Sequence, residues 1–196
     1  MIVSLFADRR TSDVAVVAHD LAVALSAHHQ GQSVSLFVDR IAERASRGHA
    51  FVIQPQPLPV SVAGALGGLR PVEHAVLAFV GSVTELVITA FDLSARILVV
   101  TDTTVPSLRS AQRAFRLCRD VGYRGHRVMA VLVVDESPLP ADLDAVRAAL
   151  RGEEFCPVPR GTASPETRRA AFANLAARVA RGVLPRDAYP ARHLGQ

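Results

Sequence analysis

The chain has 196 residues, of which 49% are hydrophobic and 20% are charged, a composition typical of a globular protein with a substantial core. Its net charge is only +4, its aromatic content is 5%, and it contains no tryptophan. These values argue against specific nucleic-acid recognition and leave a weak affinity for acidic surfaces. No apolar run reaches the roughly 18 residues that a membrane-spanning helix needs.

The N-terminal apolar segment does not have the pattern of a secretory signal. It runs directly into Asp8, Arg9 and Arg10, whereas a signal peptide carries its positive charge before the apolar stretch. We therefore expect a cytoplasmic protein.

All 22 basic residues are arginines, and the sequence contains no lysine. A GC-rich genome would explain this bias, but it would not replace the missing ammonium groups. The chain cannot form a Schiff base, use a lysine as general base or supply a P-loop lysine. The two cysteines, Cys118 and Cys156, lie in apolar segments and have no CxxC spacing. We expect both to be core residues rather than a disulfide or a metal site.

Apolar runs alternate with helical patterns along the chain. The predicted strands, in chain order, are 2–6, 33–38, 76–80, 96–100, 128–134 and, as a possible edge strand, 154–158. The predicted helices are 14–28, 84–93, 106–120, 141–151 and 166–181. Residues 54–71 are rich in proline and glycine and are predicted to form a loop or a short, broken element.

Apolar strands that alternate with amphipathic helices favour a parallel sheet covered on both faces. The predicted fold class is α/β, with a doubly wound, mostly parallel sheet of about five or six strands in a three-layer α/β/α arrangement. We predict one domain over residues 1–183 and an exposed C-terminal tail over 184–196.

Three segments carry a family resemblance: 18–26 (AHDLAVALS), 34–39 (VSLFVD) and 97–109 (ILVVTDTTVPSLR). Their order and texture resemble the ParA/MinD superfamily of deviant P-loop ATPases over roughly residues 1–182. In that family the first segment is the helix after the P-loop. The second ends in an aspartate that acts on the attacking water and magnesium, which here corresponds to Asp39.

The P-loop of this family departs furthest from its pattern here. An alignment without gaps from Leu21 places the family's KGGxGKT on residues 9–15 (RRTSDVA). Val14 then replaces the lysine that bridges the phosphates, and Ala15 replaces the hydroxyl that holds magnesium. Side chains also replace the glycines that let backbone amides approach a phosphate. A second acidic position is lost, because strand 76–80 ends at Gly81.

The resemblance therefore implies a pseudo-ATPase that is not an enzyme and needs no cofactor, with at most a vestigial ATP and magnesium site. The residues of that vestigial nucleotide face are Arg9, Arg10, Asp39 and Asp102. We expect a scaffold that forms a homodimer and recruits protein partners, with any membrane association made through a partner. The CpaE/TadZ branch, which positions pilus-assembly machinery, is the closest in character, and polysaccharide-export systems are related. The alternative is a sensor or enzyme that binds a nucleotide or an anionic small molecule.

Several residues keep more than one interpretation at this point. Asp39 is either a relic, a helix cap or a functional carboxylate, and Arg9 and Arg10 either grip an anion or form a solvated loop. Asp102 lies where open α/β sheets bind ligands, but a capping role explains it as well. Helix 166–181 either packs its apolar side on the sheet or lies on an acidic membrane surface. The adjacent histidines His28 and His29 diverge on a helix and make a poor metal pair.

Overall fold

The computed structural model describes residues 1–8, 13–30, 32–38, 56–57, 74–123, 125–135, 140–160 and 163–181. Most of the predicted loop at 54–71 and the whole predicted tail at 184–196 lie outside these residues.

The described residues form one seven-stranded sheet in which every strand pair is parallel. The strands are β1 (Ile2–Ala7), β2 (Val34–Val38), β3 (Gln56–Pro57), β4 (His74–Val80), β5 (Arg96–Asp102), β6 (Val128–Val134) and β7 (Phe155–Pro159). Their spatial order is β3-β2-β4-β1-β5-β6-β7. The prediction of a doubly wound parallel sheet is confirmed. The sheet has one strand more than the upper expected number, and the two-residue β3 lies in the segment predicted to be broken.

Five α-helices lie in the part of the chain that the structure describes; four of them connect strands, and the fifth follows β7. They are α1 (Asp13–His28), α2 (Glu85–Leu93), α3 (Val105–Val121), α4 (Pro140–Ala149) and α5 (Pro165–Arg181), with a short 3-10 turn at Gly125–Arg127. Each predicted helix is present within two residues of its expected ends. The predicted edge strand is also confirmed, since β7 lies at one end of the sheet.

Local capping explains where the helices begin and end. The Thr104 side chain accepts a hydrogen bond from the Ser107 amide at the start of α3, and the Ser164 hydroxyl accepts one from the Thr167 amide at the start of α5. Helix α3 ends at Gly122, whose φ of +93° is in the left-handed region that glycine adopts without strain.

Each face of the sheet is covered by its own set of helices. On one face, side chains from the strands pack with α1 and α5 in a single apolar cluster that includes the buried Cys156. On the other face, the alternate strand residues pack with α2, α3 and α4, and this cluster includes the buried Cys118. Burial raises the pKa of both thiols, that of Cys118 to about 11. Both cysteines are core residues, as predicted.

Helix α1 is buried on two sides because it packs on the sheet and against α5, which covers the same face and also contacts β7. Its contacts reach β1, β2, β4 and α5, and an apolar surface that extends around most of a helix is what such a position requires. The α1–α5 seam also holds an ion pair between Asp20 and Arg168. The apolar side chains Phe172, Leu175 and Val179 of α5 are buried in this layer. The packing interpretation of α5 is therefore confirmed.

Buried arginines take part in the core architecture. The guanidinium of Arg96, which is almost fully buried, donates to the backbone carbonyls of His126 and Arg178. The guanidinium of Arg127 donates to the carbonyls of Phe91 (2.8 Å) and Ser94 (2.6 Å) at the end of α2. Guanidinium donors thus bind carbonyl groups near the C-terminal ends of α2 and α5 and in the 3-10 turn.

Acid sensitivity is expected from His74, the first residue of β4. The Met1 amino group donates to its Nδ1 at 3.0 Å, and the His29 ring lies 4.3 Å away between centroids, with His28 next to His29. Burial first, and then the Met1 amino group and His29, lower the pKa of His74 to about 4. Between pH 6.5 and 4 the unfolded chain therefore binds a proton that the folded chain does not.

We predict that stability is complete above pH 6.5 and falls as the pH drops toward 4, by up to about 3 kcal/mol from this residue. His74→Gln should flatten this dependence, and His126→Gln, at an exposed site, should leave it unchanged. Urea unfolding between pH 4 and 8 measures the effect. Parallel pH profiles for the wild type and His74→Gln would contradict the assignment.

Candidate functional site

A pocket at the carboxyl edge of the sheet lies between β1 and β5. The chain leaves β1 toward β2 on one side and leaves β5 toward β6 on the other side. These two neighbouring strands therefore form a topological switch point, the place where open α/β sheets bind ligands. A pocket of about 180 Å³ opens there, and its lining is Ala7, Asp8, Val99, Val100, Asp102, Thr104, Pro106, Ser107, Ser110 and Ala111.

The β5 side of the pocket is organised by Asp102. Its Oδ1 accepts hydrogen bonds from both the amide (2.8 Å) and the hydroxyl (2.6 Å) of Thr104. The Ser107 hydroxyl accepts from the Asp102 amide at 3.1 Å and lies 3.0 Å from the Thr101 hydroxyl. This network fixes the turn between β5 and α3, in which Thr104 is the helix N-cap and Asp102 holds Thr104 in place. The same residues also line the pocket, so capping and ligand binding are compatible here.

The β1 side of the pocket carries a second carboxylate, Asp8. Its Oδ2 lies 2.6 Å from the Arg113 guanidinium, which also donates to the Ser110 hydroxyl at 2.6 Å. Ser110 itself is buried. Arg113 belongs to α3, so this ion pair joins the carboxyl end of β1 to the helix on the opposite wall.

The first turn of α1 points into the core. Val14 has no exposed surface and Ala15 is 1% exposed, and both pack in the cluster between the sheet and α5. These are the positions that the gap-free alignment assigns to the phosphate-bridging lysine and the magnesium-holding hydroxyl. A side chain at either position is directed to apolar neighbours.

The carboxyl end of β4, like the first turn of α1, carries no polar side chain at the position of interest. Gly81 follows Val80, has a φ of +110°, and donates its amide to the carbonyl of Ala7 at 2.9 Å. It is the position where the resemblance would place a second aspartate. The left-handed φ favours glycine here, since side chains rarely adopt it without strain.

Of the predicted site residues, the structure places Asp102 in the pocket. Arg9, Arg10 and Asp39 lie outside the described residues. Sequence reasoning missed the carboxylate at the end of β1 and the hydroxyls of α3 that line the pocket, and also the arginine that pairs with that carboxylate: Asp8, Ser107, Ser110 and Arg113. A usable signal existed for Asp8, because it directly follows a buried strand that flanks the switch point.

No metal cluster is found in the part of the chain that the structure describes, where no group of three or more His, Cys, Asp or Glu side chains could hold an ion. The rings of His28 and His29 are 5.1 Å apart and nearly perpendicular. Among the described residues, no helix combines the length and apolar character needed to cross a bilayer.

Comparison with known proteins finds likeness in three-dimensional structure. No protein-family profile matches the sequence, and no curated protein matches it. A ParA family ATPase from Chlorobium tepidum superposes with a TM-score of 0.63 at 13% identity, over 90% of this chain and 97% of that one. MinD from Aquifex aeolicus gives 0.60 at 11% identity, over 94% and 98%. MinD from Pyrococcus horikoshii, complexed with Mg-ADP, gives 0.57 at 12% identity, over 93% and 95%.

At these identities the likeness is one of fold. The protein has the three-layer α/β/α, P-loop NTPase-like architecture of ParA and MinD, which confirms the fold that the resemblance implied.

The burial of Val14 leads to a mutational prediction. Val14→Lys, the substitution that would restore the family's lysine, should destabilise the fold by at least about 3 kcal/mol, because it places a charge in an apolar layer. Val23→Lys, at a position of the same helix that is 36% exposed, should change stability by no more than about 0.5 kcal/mol. Urea denaturation measures both.

Equal stability of the two lysine variants would contradict this placement of Val14. It would mean that residue 14 can reach solvent and that the loop before α1 can present a cation to a phosphate.

Proposed function

We propose that the protein is a catalytically inactive, ParA/MinD-like scaffold that forms a homodimer and positions or recruits a partner complex. It hydrolyses no ATP and needs no cofactor. The observation that carries this proposal is the apolar first turn of α1, where Val14 and Ala15 lie inside the core. A phosphoryl-transfer site needs a cation and a magnesium ligand at these positions.

The charged side chains near this site also support the absence of ATP hydrolysis. A lysine-free chain has no ammonium group to move in from a neighbouring segment. The pocket between β1 and β5 presents two carboxylates, Asp8 and Asp102, and carboxylates raise the cost of placing a phosphate beside them. ATP with magnesium does not fit this set of side chains.

The positioning role is supported by what the structural neighbours do. They include a MinC:MinD cell division protein complex from Aquifex aeolicus and a plasmid partition protein from Borrelia burgdorferi. In both cases the described function is cellular organisation, and in the first it involves a second protein. We extend this role to the present chain, with pilus, secretion or polysaccharide-export machinery as the partner system.

A nucleotide titration with light scattering tests the proposal. A fluorescent ATP analogue with magnesium should show no saturable binding up to about 1 mM, and phosphate release should stay at the buffer rate. Light scattering should give a dimer whose mass does not change with nucleotide. MinD from Pyrococcus horikoshii, run in parallel, is the positive control for the assays.

Two results would overturn the proposal. Hydrolysis that Asp39→Ala abolishes would make the chain a working ATPase. Saturable micromolar binding without hydrolysis would favour the alternative function, a sensor for nucleotides or anionic small molecules in which an arginine has taken over the phosphate contact.

A further inference from the structure

The pocket between β1 and β5 is smaller than a small-molecule site. Its volume is about 180 Å³, whereas such sites usually have roughly 300 to 1,000 Å³. Its lining combines apolar residues, among them Val99 and Ala111, with carboxylates and hydroxyls. These dimensions suit a single side chain or a compact organic ion.

The polar groups of the pocket favour a cation. Asp8 and Asp102 approach from different strands, and Ser107 and Ser110 add hydroxyl oxygens from α3. The Asp102 Oδ1 is engaged by Thr104, and among the described residues its Oδ2 has no hydrogen-bond partner. Arg113 balances one of the two negative charges, so the described ionic groups of the pocket sum to about −1. A donor-rich positive group matches this arrangement.

Arg113 shows how a guanidinium can bind a carboxylate and a hydroxyl beside this pocket. Its guanidinium bridges the Asp8 carboxylate and the Ser110 hydroxyl, both at 2.6 Å, while much of its side chain stays exposed. A second guanidinium could engage the Asp102 Oδ2 in the same way from the solvent side.

An exposed apolar side chain at the rim of the pocket favours a polypeptide ligand over a free amine. Val105 lies between the lining residues Thr104 and Pro106, and at 61% exposure it is the most exposed large hydrophobic side chain of the described residues. A small cation in the pocket would leave Val105 in water. A polypeptide whose basic side chain enters the pocket would cover it with its neighbouring residues.

We propose that this pocket receives an arginine or lysine side chain of a partner protein, whose adjacent apolar residue packs on Val105. The inference rests on the proposed scaffold function and names the chemistry of its partner. The inserted cation pairs with Asp102, and the apolar contact at the rim adds affinity that a free amine lacks.

Peptide binding followed by ¹⁵N NMR tests this inference. The probe is an acetylated and amidated pentapeptide, Ala-Leu-Arg-Leu-Ala, and its control carries citrulline, which has nearly the same shape but no charge. The arginine peptide should shift the amides of Thr104, Val105 and Ser107 with millimolar affinity. The citrulline peptide should bind about tenfold more weakly, and affinity should fall with added salt.

Two pocket variants and a matched control separate the contacts. Asp102→Asn keeps an oxygen for Thr104 but removes the charge, and should weaken arginine-peptide binding about tenfold. Val105→Ser should weaken the peptide but leave agmatine, the free guanidinium probe, unchanged. Asp144→Asn removes an exposed carboxylate on α4 that pairs with Arg147, and should bind like wild type. Thermal unfolding checks that each variant folds.

Each alternative outcome would overturn the inference. Equal affinity of Asp102→Asn and wild type, or no binding by the wild type at 10 mM peptide, excludes a cation in this pocket. Equal affinity for agmatine and the peptide, with no effect of Val105→Ser, makes the ligand a free amine. Self-association that Asp102→Asn abolishes makes the occupant a second copy of the chain. ATP hydrolysis would instead refute the scaffold function, so the two failures are distinguishable.

Discussion

The packing of α1 against both the sheet and α5 is the constraint on which the rest of the structure depends. A helix covered on two sides needs apolar residues around most of its circumference, and this requirement extends to its first turn, where Val14 and Ala15 are buried. In a P-loop protein the corresponding turn faces the nucleotide and must stay polar. The same turn cannot satisfy both demands. Here core packing occupies it.

The apolar residues of that turn affect which groups the carboxyl edge of the sheet can present to a ligand. The switch point remains, because it follows from the strand order and not from the loop. Its walls, however, now come from the end of β1 and from the β5–α3 turn, which contribute carboxylates and hydroxyls. The described residues of this crevice thus present carboxylate and hydroxyl oxygens, and the fold alone does not define its ligand.

The sequence predicted the fold well because its signals are local and repeated. The strand runs in β5 and β6 are almost continuously apolar, which parallel strands buried on both faces require. Caps such as Ser164 and Gly122 then mark the helix ends. The two-residue β3 was not predicted as a strand, because so short an element carries no periodicity. Its segment is also dominated by prolines, which disfavour strands.

The site was predicted less completely, and the reason is physical. Asp102 was found because it ends a strand and precedes a Thr-Thr-Val-Pro turn, a local pattern. The pairing of Asp8 with Arg113 joins residues 105 positions apart, and no local pattern encodes such a contact. Ser110 was missed because a serine within an amphipathic helix looks like any polar surface residue, although here it is buried against the pocket. Long-range contacts of this kind require the sheet order before they can be inferred.

The exclusive use of arginine also has a structural consequence beyond catalysis. A guanidinium presents several planar donors and is less strongly hydrated than an ammonium group, so it can be buried against carbonyl groups at lower cost. Arg96 and Arg127 do this, each with two or more backbone carbonyls, and Arg168 closes the α1–α5 seam through Asp20. Lysine at these positions would lose the forked geometry. A chain that depends on arginine for internal contacts can therefore dispense with lysine in its fold, while a P-loop cannot dispense with it in its chemistry.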